Sequence, residues 1–177
     1  MKKILFIAHH RFDRSPGQRY RFEQYFSYLE ENGVSCQLSN IISQEDDKVL
    51  YSHGNYIKKA LIAFKAYRQR KKELTSIVEY DLVLIYREAI LTGSTFFEKK
   101  LAKLDVPILF DFDDAIWVKD VSKGNQRISF LKNSNKIREI LPLCTHITAG
   151  NSYLKEFALK YNDNVTIVPS TIDTDKY

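Results

Sequence analysis

Cysteine is almost missing from this chain. Cys36 and Cys144 are the only two in 177 residues, too few and too far apart for a disulfide framework, and no Cys-x-x-Cys pair suggests zinc. That usage fits a reducing cytoplasm. Long apolar runs are missing as well. Met1-Lys2-Lys3-Ile4-Leu5-Phe6-Ile7-Ala8 opens like a secretory signal, but its apolar stretch stops after five residues at His9-His10-Arg11. Such a run is too short for a signal core or a membrane span and reads as a first buried strand. No internal repeat or low-complexity tract is present, and the hydrophobic share of 44% is that of an ordinary globular domain. The most basic stretch lacks acids altogether. Between Tyr56 and Lys72 there are seven basic residues and no Asp or Glu, enough to account for the whole net charge of +5.

What is present is dominated by an acidic strand end. In Pro107-Ile108-Leu109-Phe110-Asp111-Phe112-Asp113-Asp114-Ala115-Ile116-Trp117, three carboxylates fall within four residues directly after an apolar run. Side chains alternate along a strand, so Asp111 and Asp113 share one side and Phe110 and Phe112 the other. Carboxylates this close need cations, hydrogen bonds or water to answer them. The plainer reading is a solvated acidic end paired with a nearby Arg; the functional one is a site.

The rest of the chain alternates strands with helices. Strands are predicted at 3–8, 34–38, 82–86, 107–112, 144–149 and 165–168. Ser15, Pro16 and Gln18 have the arrangement of a capping box, with Phe22, Phe26 and Leu29 as the buried stripe and Gly33 as the stop. Residues 40–54 read as a polar connection. Residues 56–72 form a basic amphipathic helix that could run to Val78, with Ile57, Leu61 and Phe64 inward and Lys58, Lys59, Lys65 and Arg70 outward. Thr95 and Glu98 suggest a capped helix to Leu104, Ser122 to Asn125 a turn before a helix ending ahead of Pro142, and Asn151 or Ser152 a cap for a helix to Tyr161. Continuous apolar strands between helices predict an α/β, Rossmann-like doubly wound and mostly parallel sheet of six or seven strands, covered on both faces. Ligands of such sheets bind outside the carboxyl ends of the strands.

At that edge the first loop, His9-His10-Arg11-Phe12-Asp13-Arg14-Ser15-Pro16-Gly17-Gln18-Arg19, has one glycine where a dinucleotide fingerprint has three, and no P-loop. It does offer a helix start flanked by Arg11, Arg14, Arg19 and Arg21, a setting that suits an anion. The basic helix suggests contact with anionic lipid or a polyanionic substrate rather than nucleic acid, for which no motif is present.

Ser15-Pro16-Gly17-Gln18-Arg19-Tyr20-Arg21, Tyr86-Arg87-Glu88-Ala89, Asp111 to Trp117 and the closing Val168-Pro169-Ser170-Thr171-Ile172-Asp173-Thr174-Asp175-Lys176-Tyr177 together resemble, in order, the N-terminal half of GT-B retaining glycosyltransferases of the group 1, family 4-like kind. The resemblance implies that residues 1–177 are the acceptor-binding domain, that a donor-binding C-terminal domain follows, and that this chain alone is inactive. It implies transfer of a sugar from a nucleotide-sugar co-substrate to a glycan or lipid-linked acceptor, with no other cofactor and no metal. Asp113 and Asp114 would be catalytic. His9, His10, Arg11, Pro16, Gly17, Arg19, Arg87, Glu88, Asp111 and Trp117 would bind substrate. Two positions depart from the pattern: Asp113 or Asp114 stands where many relatives carry a His that touches the donor sugar, and Ser170-Thr171 replaces Asn-Gly at the domain crossing. The location expected is cytoplasmic, with residues 56–72 able to touch the inner face of the membrane.

Two other functions fit parts of the sequence. Asp111 and Asp113 match the Asp-x-Asp of haloacid-dehalogenase-type, magnesium-dependent phosphatases. Ala115, however, stands where that family has Thr or Val, and Gly150-Asn151-Ser152 supplies no further acids. A non-catalytic module that binds a polyanion or membrane through residues 56–72 is the third.

Overall fold

The computed structural model describes residues 1–118 and 133–174. Six strands form one sheet: β1 (Lys2–His10), β2 (Val34–Ile42), β3 (Leu82–Tyr86), β4 (Ile108–Phe112), β5 (His146–Ala149) and β6 (Val165–Ile167). Their order is β2-β1-β3-β4-β5-β6, and every neighbouring pair is parallel. The chain steps from β1 to β2 in one direction and then crosses back over β1 to β3, after which every step continues the same way. The direction therefore switches between β1 and β3, and right-handed crossovers place the helices of the two directions on opposite faces.

Alternation along the strands builds the two layers. Phe6, Ala8 and Tyr86 face α1 (Pro16–Arg21) and α2 (Phe26–Glu31), where Phe22 is buried and Phe26 and Leu29 are packed alongside. Leu5, Ile7, Val83, Ile85, Phe110 and Phe112 face the other way, onto Phe97 and Leu101 of α5 (Phe96–Leu101), Ile137 and Ile140 of α6 (Lys136–Ile140), and Leu154 and Phe157 of α7 (Ser152–Ala158). The doubly wound α/β fold expected from the sequence is the fold observed. Among the described residues no helix is long and apolar enough to cross a membrane. The turn expected at Ser122 to Asn125 lies outside the described residues, as do Asp175, Lys176 and Tyr177.

Several boundaries differ, each for a physical reason. Residues 40–54 are not a plain connection. Ser43 accepts from the Asp46 amide and Asp46 answers the Ser43 amide, a full capping box that starts α3 (Gln44–Leu50). At Ser15 the helix starts as expected but the box is not made. The Gln18 carboxamide instead clasps His10, accepting from its N–H at 2.9 Å and donating to its carbonyl at 2.9 Å. The first helix breaks at Phe22 into α1, a 3-10 turn and α2, and Gly33 ends α2 with a positive φ of 79°. Thr95 makes no cap bond, and Glu98 is buried where it accepts from the Ala89 amide. Asn151 does cap α7, accepting from the Leu154 amide at 3.0 Å.

The largest correction concerns α4 (Tyr56–Glu73), which ends well before Val78. Its inward line is Lys59, Ile62, Ala66 and Arg70, while Ile57, Leu61 and Phe64 face solvent. The helical wheel is turned half round from the expected one. Main-chain carbonyls explain it. Arg70 is fully buried, donating to the carbonyls of Ala8 (3.0 Å), Ser39 (3.2 Å) and Ala89 (2.9 Å), to Ser39 Oγ (2.6 Å) and to Glu73 (2.7 Å). Lys59 reaches the Ser52 carbonyl at 2.7 Å. A guanidinium with five N–H groups satisfies acceptors that an aliphatic side chain would leave bare.

This reversal is measurable. Arg70→Met should cost about 3–5 kcal/mol in urea unfolding, because it strips donors from several buried oxygens. Ile57→Ser should stay within about 0.5 kcal/mol, as for an ordinary surface change. The opposite ranking would restore the expected wheel.

Candidate functional site

The site is built where the sheet changes direction, at the carboxyl ends of β1, β3 and β4, with β5 closing one side. β4 brings Asp111 to the α1 side, while Phe110 and Phe112 point into the opposite core, as the alternation predicts. There the Arg21 guanidinium covers the Asp111 carboxylate in a fork: Nε donates to Oδ2 at 2.9 Å and Nη2 to Oδ1. Thr148 Oγ1 also donates to Oδ1 at 2.5 Å, and Arg21 Nη1 reaches the Val168 carbonyl. Both side chains are buried. Burial works against the Arg21 charge, but the hydrogen bonds and charge of Asp111 outweigh it and hold the guanidinium above its ordinary pKa. Asp111 was expected to bind substrate. Both its oxygens are instead spent inside the protein, on one of the first-loop arginines that the sequence led us to expect at the acidic strand end.

Two residues on, Asp113 is held more lightly. Its Oδ1 accepts from the Tyr86 hydroxyl at 2.9 Å and from Arg87 Nε at 2.8 Å. Oδ2 makes no hydrogen bond among the described residues. It lies 3.4 Å from where a Cβ on Gly17 would sit, and a Cβ on Gly150 would come 3.0 Å from the Asp113 Cα. The backbone of α1 thus approaches from one side and the end of β5 from the other. Gly17 has no alternative here, since the same Cβ would stand 2.2 Å from the Tyr86 hydroxyl. Burial pushes the Tyr86 phenol well up, with Asp113 and Asp111 adding to the push against Arg87, so it stays a proton donor. Arg87 sits in the left-handed region at φ 62° while its amide donates to the Asp111 carbonyl at 2.7 Å. A non-glycine residue held there stores strain, and such residues concentrate at functional sites. Asp114, the second expected catalytic acid, turns outward. Its side chain is 69% exposed and 3.9 Å from Arg87, against 16% for Asp113, and Oδ1 accepts from the Ala115 amide.

The arginines of the first loop all meet carboxylates. Arg11 (3.1 Å) and Arg14 (2.5 Å) converge on Asp47 of α3, and Arg19 lies 3.2 Å from Asp13. Burial would raise the Asp47 carboxyl, but the hydrogen bonds from Arg14 and Arg11 prevail and hold it below its usual range. The anion-binding helix start expected around Pro16 is therefore a short, already neutralised turn. His10 Nε2 lies 3.3 Å from the Tyr51 hydroxyl. Trp117, also expected at the substrate, stacks flat on Phe157 with ring centroids 3.6 Å apart and meets Phe112 edge-on, so it belongs to the core beside α7.

His9 and Glu88 share a second cluster that the sequence reading did not connect. Lys136, from α6, is buried and binds Glu88 at 2.8 Å and the carbonyls of Ile90 and Thr92 at 2.8 and 2.7 Å. Beside it His9 Nε2 is buried and without a hydrogen-bond partner among the described residues. Burial lowers the His9 pKa to about 4, with Glu88 opposing and Lys136, Arg70 and His10 reinforcing the fall. A neutral imidazole with a bare nitrogen accepts from a hydroxyl or donates to one, according to which ring nitrogen holds the proton. Among the described residues no group of three or more His, Cys, Asp or Glu could hold a metal ion.

The His9 environment has a pH consequence. In the unfolded chain His9 takes its proton near the ordinary 6.5, in the folded chain only near 4. The unfolded state therefore binds more protons between those values, so this contribution is complete above the upper one and is lost as pH falls through the window. The loss should be on the order of 3 kcal/mol. Urea unfolding of His9→Gln should show a shallower decline over that window than the unsubstituted chain, whereas equal declines would remove His9 as the source. Set against known proteins, the chain is matched by no family model, and no curated protein shows significant similarity to it.

Proposed function

We propose that the chain is the acceptor-side half of a retaining, GT-B-type glycosyltransferase that works in the cytoplasm. In this reading it moves a sugar from a nucleotide-sugar donor to a hydroxyl of a glycan or lipid-linked acceptor, with the donor gripped mainly by a second domain. The observation that carries it is Asp113: a carboxylate fixed through one oxygen by Tyr86 and Arg87, with the other uncommitted, at the carboxyl edge of the sheet beside the point where it changes direction. Crevices outside that point are where open α/β sheets take their ligands.

The chemistry follows from that asymmetry. As the acceptor oxygen bonds to the anomeric carbon, the bond from that carbon to the phosphate oxygen breaks and the acceptor proton must leave. Asp113 Oδ2 receives or steers that proton, while its charge favours the oxocarbenium-like sugar. Glu88, just past the end of β3, positions sugar hydroxyls. The order of the sequence motifs is the second support. The phosphatase reading loses ground, because the carboxylate it needs as nucleophile, Asp111, is saturated by Arg21 and Thr148.

In the natural full-length enzyme, Asp113→Asn should lower turnover about a hundredfold, with the melting temperature nearly unchanged. An unaltered rate would take Asp113 out of the reaction. The 177-residue chain alone should melt cooperatively and shift little with any nucleotide sugar. A shift of several degrees, or transfer by this chain alone, would overturn the division of labour. Hydrolysis of a generic phosphate ester that requires Mg²⁺ would favour the phosphatase.

A further inference from the structure

The half-turn of α4 leaves an apolar stripe with nothing against it. Ile57 is 80% exposed, Leu61 61% and Phe64 59%, and they fall on one face at helical spacing. Ordinary surfaces scatter single apolar side chains, so three large ones in line on one helix ask for a partner. The same face continues toward the helix end as Arg68, Lys71 and Lys72, with Lys58 on the flank, all exposed. Among the described residues none of these four has a carboxylate partner, whereas Lys65 pairs with Asp46 and Arg70 with Glu73. Arg68 lies over the Phe64 ring at 6.0 Å, which joins the two halves of the stripe.

We infer that α4 is a docking surface for an anionic lipid bilayer, lying flat on the headgroups rather than crossing them. The charge pattern fits negative lipid, and the apolar half provides side chains to insert below the headgroups. Nucleic acid would use the cations and leave Ile57, Leu61 and Phe64 in water, so it fits half the face. An 18-residue helix spans about 27 Å, long enough to meet several headgroups at once.

The direction of the helix adds a consequence. α4 starts at Tyr56, after β2 and α3, and runs back to the start of β3. Its apolar half is therefore at the strand edge that carries Asp113. α4 packs on the sheet face opposite α1, so its exposed stripe turns away from the side on which Asp113 meets Tyr86 and Gly17. The docking itself stands whether or not Asp113 transfers a sugar.

Co-sedimentation of the full chain with phosphatidylcholine vesicles, with and without phosphatidylglycerol, tests it. Binding should require the anionic lipid and weaken with salt. Leu61→Glu with Phe64→Glu should lower partitioning about a hundredfold, and Lys71→Gln with Lys72→Gln about twenty-fivefold, at roughly fivefold per charge. Melting temperatures should hold in both, and Ile57→Glu, at the most exposed position, provides a second apolar probe. Vesicle binding indifferent to the apolar substitutions would overturn the proposal. So would absence of vesicle binding, whether the chain instead binds RNA or forms dimers that Phe64→Glu disperses. None of these outcomes bears on the turnover of Asp113→Asn.

Discussion

The buried ion pair of Arg21 and Asp111 is the tie on which the site's geometry rests. One guanidinium joins the last residue of α1 to the end of β4, to Thr148 of β5 through the shared carboxylate, and to the Val168 carbonyl just past β6. Four separate pieces of chain are thereby brought to one point. Such a pair contributes little net stability over an apolar packing of the same shape, but removing one partner strands a charge and costs several kcal/mol. Its worth lies in placement. With α1 pinned at its end, the backbone at Gly17 is held against Tyr86 and Asp113, and the crevice acquires a fixed wall.

That pair also explains why two carboxylates two residues apart have different fates. Asp111 takes three hydrogen bonds spread over both oxygens and carries out no chemistry that the structure exposes. Asp113 receives two hydrogen bonds on one oxygen and none on the other. The backbone strain at Arg87 is part of the same construction. Its left-handed turn aims Nε at the Asp113 carboxylate while the amide closes onto the main-chain carbonyl of Asp111, so one residue ties the acid to its strand. The Glu88–Lys136 pair and the neutral His9 form a separate polar cluster toward β1.

Much of this could be read from the residues, and the failures are instructive. The parallel sheet was legible because its strands are continuous apolar runs, and Asp113, Tyr86 and Arg87 because they stand at strand ends. The fate of Asp111 was legible in part: a first-loop arginine was expected at the acidic strand end, but strand alternation does not say that Arg21 takes Asp111 and leaves Asp113 open. Lys136 escaped notice, being a lone lysine in a segment with no motif. α3 was hidden by its polarity, although Ser43 and Asp46 do carry the capping signal at the right spacing. The wheel of α4 went wrong because charge was counted as outward. Main-chain carbonyls at the sheet edge can draw an arginine inside more strongly than water holds it out, and nothing in a periodicity count registers that demand.

The two glycines beside Asp113 carry a last implication. Gly17 and Gly150 stand on different elements, and each would intrude on Asp113 or its Tyr86 partner if it bore a side chain. On these two sides the carboxylate is therefore walled by peptide groups into a slot, while the Tyr86 and Arg87 side chains hold its other oxygen. Peptide dipoles anchored in a strand end and a helix start keep their orientation whether the slot is empty or filled. A guest entering it freezes few torsions of the host, so little of its binding energy is dissipated in ordering the walls.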